Sequence, residues 1–405
     1  MNIIFLSVSS FPDASRSGIY PDLLRAFARA GHSVWAVQPR DRKYHLPTSL
    51  SKEAGVSVLR VRTLNIERAG ILEKGLGTVL LERQFTAAIR KHLAGERFDL
   101  IMYATPPVTL PRVIRYLKRK NPSAGTYLLL KDIFPQNAVD LGMMAPTGLK
   151  GLLYKYFRRK EQSLYALSDH IGCMSPANVS YLLAHNPSIP AERVEVCPNS
   201  SDPLDLSTAP SVPDIRTQYG IAPGATIFLY GGNLGKAQGI PCLMECLKRN
   251  AGLSDRHFMI VGGGNESWRI KEWERSGLPS NVTYREALPT DQYDALVRAC
   301  DVGLIFLDPR FTIPNYPSRI LNYMKVGKPV VCATDPNTDI GRIAVAEGYG
   351  LSVLADDPDA FKACIDTLAA DPSRIAEMGA RGYRYFLDHY TVDASYHIIM
   401  RHFTP

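Results

Sequence analysis

A chain of 405 residues, 45% hydrophobic and 21% charged, is long enough for two domains with cores of their own and too ordinary in composition to be disordered or fibrous. No apolar run approaches the roughly 18–20 residues needed to span a bilayer, and the opening Met1-Asn2-Ile3-Ile4-Phe5-Leu6 lacks a basic leader, reading as a buried first strand rather than a secretory signal. Net charge is +8 but uneven: residues 1–200 hold 27 Lys+Arg against 15 Asp+Glu, and the remainder is net negative. A basic first half implies an anionic partner there: a membrane surface, a phosphorylated acceptor or nucleic acid. The seven cysteines sit mostly in apolar runs, and Cys242-x3-Cys246 has no second pair nearby. Zinc is therefore not indicated, and reduced thiols in a cytoplasmic protein are expected.

Through the first half, short apolar runs alternate with amphipathic stretches, the pattern of a doubly wound parallel sheet. Strands are predicted over 3–8, 34–38, 56–61, 100–104, 126–130, 170–174 and 194–196, and helices over 21–30, 75–93, 110–119, 148–167 and 177–183. After the first strand, Ser15-Arg16-Ser17-Gly18 forms a turn at a strand's carboxyl end, where open α/β sheets bind ligands. Gly18 either admits the backbone to a phosphate or sugar or simply serves the turn. No G-x-G-x-x-G is present there, so a nicotinamide or flavin site is not indicated. Further on, Leu128-Leu129-Leu130 runs straight into Lys131-Asp132, again at a carboxyl end. Residue types alone leave a solvated ion pair and a ligand-facing pair both open.

The stretch 148–167 reads as one amphipathic helix. Leu149, Leu152, Leu153, Tyr156, Phe157, Leu164 and Leu167 form an apolar face, with Lys150, Lys155, Arg158, Arg159 and Lys160 gathered around it. Two readings stand: a core-packed helix with a solvated basic face, or a helix lying against anionic lipid through Lys155, Arg158, Arg159 and Lys160. Arg112, Arg115, Lys118, Arg119 and Lys120 extend the same basic surface. Nucleic acid fits less well, because no aromatic–basic platform or helix-turn-helix spacing accompanies the charge. Pro203, Pro210 and Pro213 among Ser, Thr and Asp then mark a linker over 204–213, between domains over 1–203 and 214–382.

The second domain opens on a strand over 226–230 that leads into Gly231-Gly232-Asn233-Leu234-Gly235-Lys236-Ala237-Gln238-Gly239 and a helix from 240. Small residues let backbone N–H groups face a phosphate, and Lys236 adds a point charge. The spacing is not that of a Walker loop. A strand over 258–261 runs into Gly262-Gly263-Gly264, and another follows over 282–285. Phe311 to Ala333 reads as a loop, a helix opening near Pro317-Ser318, and a Gly-Lys-Pro turn into an apolar strand. Pro317 suits the first helical position, and the unpaired N–H groups beside the forked charge of Arg319 favour an anion. Asn322, four residues after Ser318, shares its helix face. An ordinary capped helix is the plainer reading. Asp357-Pro358-Asp359 is a D-x-D, but it precedes a predicted helix over 360–368, so these aspartates are expected to cap rather than to hold metal. A last amphipathic helix is predicted over 383–403.

The segment Pro317-Ser318-Arg319-Ile320-Leu321-Asn322-Tyr323-Met324-Lys325-Val326-Gly327-Lys328-Pro329-Val330 resembles the donor-site segment of glycosyltransferase family 4. Bacterial members that build O-antigen, capsule or colanic acid carry P-S-K-x-x-E-Y-M-A-x-G-K-P-V there. The family's E-x7-E motif falls on Pro314 and Asn322, neither of them a glutamate, so only a hydrogen bond from Asn322 carries over. Gly31-His32-Ser33-Val34 resembles the family's G-H-E-V, Lys131–Asn137 its R-D-L/I-W/F-P-E-S, Val196–Asp202 its interdomain V-x-P-N-G-V-D, and 231–239 its G-x-L-x-x-x-K-G donor turn.

The resemblance implies an α/β GT-B fold, two Rossmann-like domains facing an interdomain cleft, with a C-terminal helix over 383–405 crossing back to the first domain. It implies retaining hexosyl transfer from a UDP-linked nucleotide sugar to a glycan acceptor on a polyprenyl diphosphate, at the inner face of the cytoplasmic membrane, with no essential metal or other cofactor. By position it assigns Asp132 and Lys131 to catalysis. To the donor it assigns Ser17, Gly18, Gly232, Asn233, Lys236, Gln238, Gly263, Arg285, Glu286, Tyr316, Pro317, Ser318, Arg319 and Asn322. Two rivals share the fold: a nucleotide-sugar 2-epimerase, which would release UDP without an acceptor, and a non-catalytic partner in a polysaccharide assembly complex, consistent with the missing glutamates.

Overall fold

A computed structural model describes residues 1–66, 71–205, 212 and 214–403, and the side chains of all of these except 71–76, 78, 149 and 150. Pro210 and Pro213 of the expected linker, and the side chains of Leu149 and Lys150, lie outside the described residues. The chain forms two compact units, Met1–Asp202 with Thr391–Pro405, and Pro203–Tyr390.

The first unit is built on β1 (Asn2–Leu6), β2 (Ser33–Asp41), β3 (Ser49–Glu53), β4 (Val56–Thr63), β5 (Leu100–Thr105), β6 (Gly125–Leu130), β7 (His170–Cys173) and β8 (Val194–Val196). In space they run β3-β4-β2-β1-β5-β6-β7-β8. Neighbours are parallel except β3, which is antiparallel to β4. The inner strands are apolar on both faces because helices cover both. Along β1, Ile4 and Leu6 enter one core with Leu81, Phe85, Ile114 and Phe157. Ile3 and Phe5 enter the other with Leu24, Phe27, Ile399 and Met400, as alternation along a strand requires. Burying each of these side chains contributes about 1.5–3 kcal/mol.

β3 and the last helix differ from expectation. β3, Ser-Leu-Ser-Lys-Glu, carries too little apolar alternation to announce itself; pairing with β4 and the Glu53–Arg60 ion pair hold it. The final helix expected over 383–403 is instead two, Pro372–His389 and Val392–Met400. Thr391 is extended and its hydroxyl accepts the Ala394 N–H, so it caps a new helix instead of continuing the old one. Asp357 likewise accepts the Ala360 N–H at 2.9 Å and caps the helix Pro358–Ala369, the role its position implies.

The second unit holds β9 (Thr226–Gly231), β10 (Arg256–Val261), β11 (Val282–Arg285), β12 (Val302–Phe306), β13 (Val330–Thr334) and β14 (Gly350–Leu354), ordered β11-β10-β9-β12-β13-β14 with every pair parallel. Each sheet reverses its order of growth once, beside β1 in the first unit and beside β9 in the second. The loops leaving the carboxyl ends at such a point diverge and leave a crevice for a ligand. Among the described residues no helix is long and apolar enough to cross a membrane, and all seven cysteines are free.

Candidate functional site

The turn leaving β9 is laced to the turn leaving β10. The Gly232 N–H donates to the Val261 carbonyl at 2.9 Å, Leu234 N–H to Gly263 at 3.0 Å, and Glu266 N–H back to Leu234 at 2.9 Å. Glycine is required where they touch: at Gly262 (φ +153°) a Cβ would stand 1.8 Å from the Gly232 carbonyl oxygen. A side chain at Gly231 would strike the Tyr293 hydroxyl, 2.1 Å away. Tyr323 fixes the same turn, donating to the Leu229 carbonyl at 2.9 Å and accepting the Gly231 N–H at 3.2 Å. The result is a rigid ledge with Gly232, Asn233 and Gly263 exposed along it.

Arg319 is laid against that ledge. Its guanidinium sits 4.5 Å from the Tyr230 ring centroid, and Nη2 donates to the Asn233 carbonyl at 3.4 Å. Nη1 is buried and has no hydrogen-bond partner among the described residues. A guanidinium is charged at every accessible pH, so a buried unpaired N–H on it is costly until an anion accepts it. Lys236 is exposed at the start of a one-turn 3-10 segment, with no ion-pair partner among the described residues.

The remaining expected donor residues divide. Asn322 and Ser318 are half-buried beside Arg319 in sequence, and the Asn322 amide has no hydrogen-bond partner among the described residues. The helix here is shorter than expected, Ile320–Met324, with Pro317–Arg319 forming a turn before it, so the charge facing the ledge comes from Arg319 rather than from a helix end. Gln238 turns inward, its carbonyl accepting the Gly235 N–H at 3.2 Å and the Asn233 amide at 3.3 Å. Tyr316 is buried with its hydroxyl on that of Tyr390, so it faces the core. Glu286 is held by Lys271, and Arg285 lies over the Tyr219 ring at 4.9 Å while donating to the Tyr284 carbonyl. Tyr230, Tyr293 and Tyr323 were not among the expected site residues, although Tyr323 lies in the matched donor segment: their meeting at this turn from a strand end and two separate helices is set by the fold.

In the first unit, Ser17 and Gly18 are tied to a carboxylate of the protein itself. Buried Asp22 takes the Gly18 N–H at 2.9 Å and the Ser17 hydroxyl at 3.3 Å. Gly18 has an extended φ of 170° that any residue adopts. Lys131 and Asp132 follow β6 but do not pair. The Lys131 ammonium donates to the Cys197 carbonyl at 3.0 Å, and burial pulls its pKa down to about 8. Burial pushes the Asp132 carboxyl up to about 6. Its Oδ2 accepts from the Asn137 amide at 2.7 Å, while Asp132 Oδ1 and Asn137 Oδ1 are buried with no hydrogen-bond partner among the described residues. Two unpaired acceptors on adjoining side chains are matched by hydroxyl or N–H donors of a ligand.

The helix Gly148–Leu167 is a correction in two respects. Arg158 donates to Glu161, to the Asn186 side chain at 2.6 Å and to the His185 carbonyl, and Lys160 pairs with buried Glu82 at 2.6 Å. Neither is a solvated surface charge. Leu152 and Leu153, which the core-packed reading buries, are 68% and 49% exposed, beside exposed Lys155 and Arg159.

The chain is similar to known glycosyltransferases in both units. The model for the glycosyl transferase 4-like domain matches residues 20–200, and that for glycosyl transferases group 1 matches residues 211–385. The probable glycosyltransferase WbjE of Pseudomonas aeruginosa is 22% identical over 74% of this chain and 72% of that protein. The putative colanic acid biosynthesis glycosyl transferase WcaI of Escherichia coli is 23% identical over 66% of this chain and 64% of that protein. Among solved structures, sucrose-phosphate synthase from Thermosynechococcus elongatus superposes with a TM-score of 0.75 at 18% identity, covering 99% of this chain and 98% of the other. The Anabaena protein HepE in complex with UDP gives 0.67 at 17% identity, covering 99% of each. At such identities the structural likeness establishes the GT-B fold alone. With a 4-like domain followed by a group 1 domain across almost its whole length, the chain belongs to the family 4 glycosyltransferases of the GT-B fold.

Proposed function

We propose that this glycosyltransferase moves a hexose from a UDP-linked donor to a glycan acceptor on a polyprenyl diphosphate in bacterial surface polysaccharide synthesis, with retention of anomeric configuration. The observation that carries the donor is the unpartnered Nη1 of Arg319 at the ledge formed by Gly232, Asn233 and Gly263. When the bond from the anomeric carbon to the diphosphate breaks, charge grows on the departing oxygen. In this reading Arg319, held by Tyr230 and the Asn233 carbonyl, meets it with a preorganised donor, and exposed Lys236 adds a further positive charge. Asn322 offers an amide to the nucleotide ribose in place of the family's carboxylate, and the Asp132–Asn137 acceptors take hydroxyls of a sugar. Support for UDP comes from HepE, solved with UDP and with UDP-glucose. Support for the pathway comes from WcaI, a putative colanic acid biosynthesis enzyme.

A thermal-shift panel tests this. UDP and one UDP-sugar are expected to raise Tm by mass action, and ADP- and GDP-sugars to raise it less. Because protein cations carry the leaving group, the shift and turnover are expected to survive EDTA. Equal shifts from all nucleotides, or activity lost to EDTA and restored by magnesium or manganese, would overturn this account of the leaving group. UDP release from the donor without any acceptor would point instead to the epimerase reading.

The acceptor anchor calls for a membrane surface, and exposed Leu152, Leu153, Lys155 and Arg159 supply apolar and basic contacts within two turns of the helix Gly148–Leu167. Each basic residue near anionic lipid is worth about 1 kcal/mol. Sedimentation with anionic vesicles is expected to fall as salt rises, and the variant Leu152→Ser, Leu153→Ser, Lys155→Gln, Arg159→Gln to stay in solution with its UDP affinity intact. A variant that sediments like wild type refutes the membrane contact. Arg158→Gln and Lys160→Gln are unsuitable probes, since each strands a buried glutamate.

A further inference from the structure

The first unit carries a second concavity that the donor chemistry does not use. It is a cleft of ≈ 440 Å³ at the carboxyl ends of β1, β2 and β4, on the same sheet edge as Asp132, and its volume suits a sugar-sized ligand. Its floor is fixed. Gln38 is buried and clamps Phe11 from both sides, accepting its N–H at 2.8 Å and donating to its carbonyl at 2.9 Å. Arg60 donates to the Pro12 carbonyl at 2.8 Å and is neutralised by Glu53. The rim carries two exposed apolar side chains, Tyr44 at 55% and Leu46 at 51%, on either side of left-handed His45.

The charges around the cleft cancel except one. Asp41 is engaged by Lys43 at 3.0 Å and by the Ile66 N–H at 3.1 Å. Arg40 forms no salt bridge among the described residues, and Glu53, spent on Arg60, attracts it only at longer range. One nitrogen, Nη1, is spent on the Pro47 carbonyl at 2.9 Å and the Ser49 hydroxyl at 3.0 Å, which orients the guanidinium and pins the rim loop. Among the described residues the Nε–Nη2 edge makes no hydrogen bond, and that edge is the fork that matches a carboxylate or phosphate. A neutral sugar would leave it unanswered.

We propose that this cleft holds the acceptor, and that the acceptor is a saccharide carrying an anionic group, carboxylate or phosphate, read by the Nε–Nη2 edge of Arg40 while its ring lies against Tyr44. The proposal rests on the glycosyl-transfer reading for the word acceptor, but not for the anionic preference of the cleft. Ligand-observed NMR on the full chain separates the two, using methyl β-D-glucuronide, glucose 6-phosphate and methyl β-D-glucoside as probes, with UDP affinity measured in parallel. At least one anionic probe is expected to bind about tenfold tighter than the neutral glucoside, the effect of one charge-assisted contact. Which anionic probe wins distinguishes a uronic acid from a sugar phosphate. Arg40→Met is expected to abolish the preference and Arg40→Lys to restore part of it, while UDP affinity stays at the wild-type value. Because Arg40 also pins the rim, Tyr44→Ala provides a second variant on an exposed side chain; it is expected to weaken anionic and neutral sugars alike. Equal binding of all three probes by the wild type, or a preference surviving Arg40→Met, overturns the proposal. Loss of UDP binding by the wild type, with the anionic preference intact, would instead remove the donor reading and leave the cleft as an anionic-sugar site.

Discussion

Replacing Arg319 with alanine is expected to weaken UDP binding roughly ten- to a hundredfold, because a buried charge-assisted contact is worth about 1.5–3 kcal/mol. Arg319 is the residue to change because its Nη1 is buried, charged and unsatisfied, while Tyr230 and the Asn233 carbonyl fix the rest of the fork. Lysine should not rescue it: an ammonium lacks the planar fork and the stacking face. Lys236→Ala is expected to cost less, about 0–1 kcal/mol, since that side chain is exposed and screened by solvent. Titration calorimetry with UDP decides the matter, with a thermal melt to verify that each variant is folded. Unchanged affinity in Arg319→Ala would remove the ledge from consideration as the diphosphate site.

Asp132→Asn is expected to retain UDP affinity and to lose about a hundredfold in turnover, the upper end for a charged hydrogen bond to substrate. The variant keeps the volume but replaces a charged acceptor with an amide, against the neighbouring Asn137 amide. Near-wild-type turnover would return Asp132 to a structural role. The pH behaviour follows from the same burial. With its carboxyl raised to about 6, Asp132 is protonated below that pH, so transfer that needs the carboxylate falls as pH drops through 6. Stability moves the opposite way. Between the ordinary aspartate range and about 6 the folded state holds a proton that the unfolded chain has released, so this group's stabilising contribution is lost as pH rises through that window. Asp132→Asn should flatten both trends.

Much was legible from local pattern. Alternating apolar runs and amphipathic helices, with glycine turns at strand ends, placed both sheets, the ledge at 231–235 and the helix Gly148–Leu167. Period and turn chemistry are properties of neighbouring residues, so a chain displays them before it folds. Capping by Asp357 was legible for the same reason, since donor and acceptor are three residues apart. β3 was not, because its stability comes from pairing with β4 and from Arg60 rather than from its own side chains.

What only the tertiary structure decided is which polar groups are spent on the protein itself. Ser17 and Gly18 have the look of a ligand turn, yet Asp22 takes both, and it also accepts the Asp202 N–H at 3.1 Å from the far end of the unit. Arg158 and Lys160 belong to a basic run, yet Glu161 and Glu82 neutralise them; Glu82 is 78 positions away in the chain. Tyr316 sits in the donor segment but turns to Tyr390. Arg319 and Arg40 differ from these by having an unfilled edge. A residue's type determines what it can bind. Whether it remains available depends on partners that strand order brings near from distant parts of the chain, and a buried polar group takes such a partner because desolvation without one is costly.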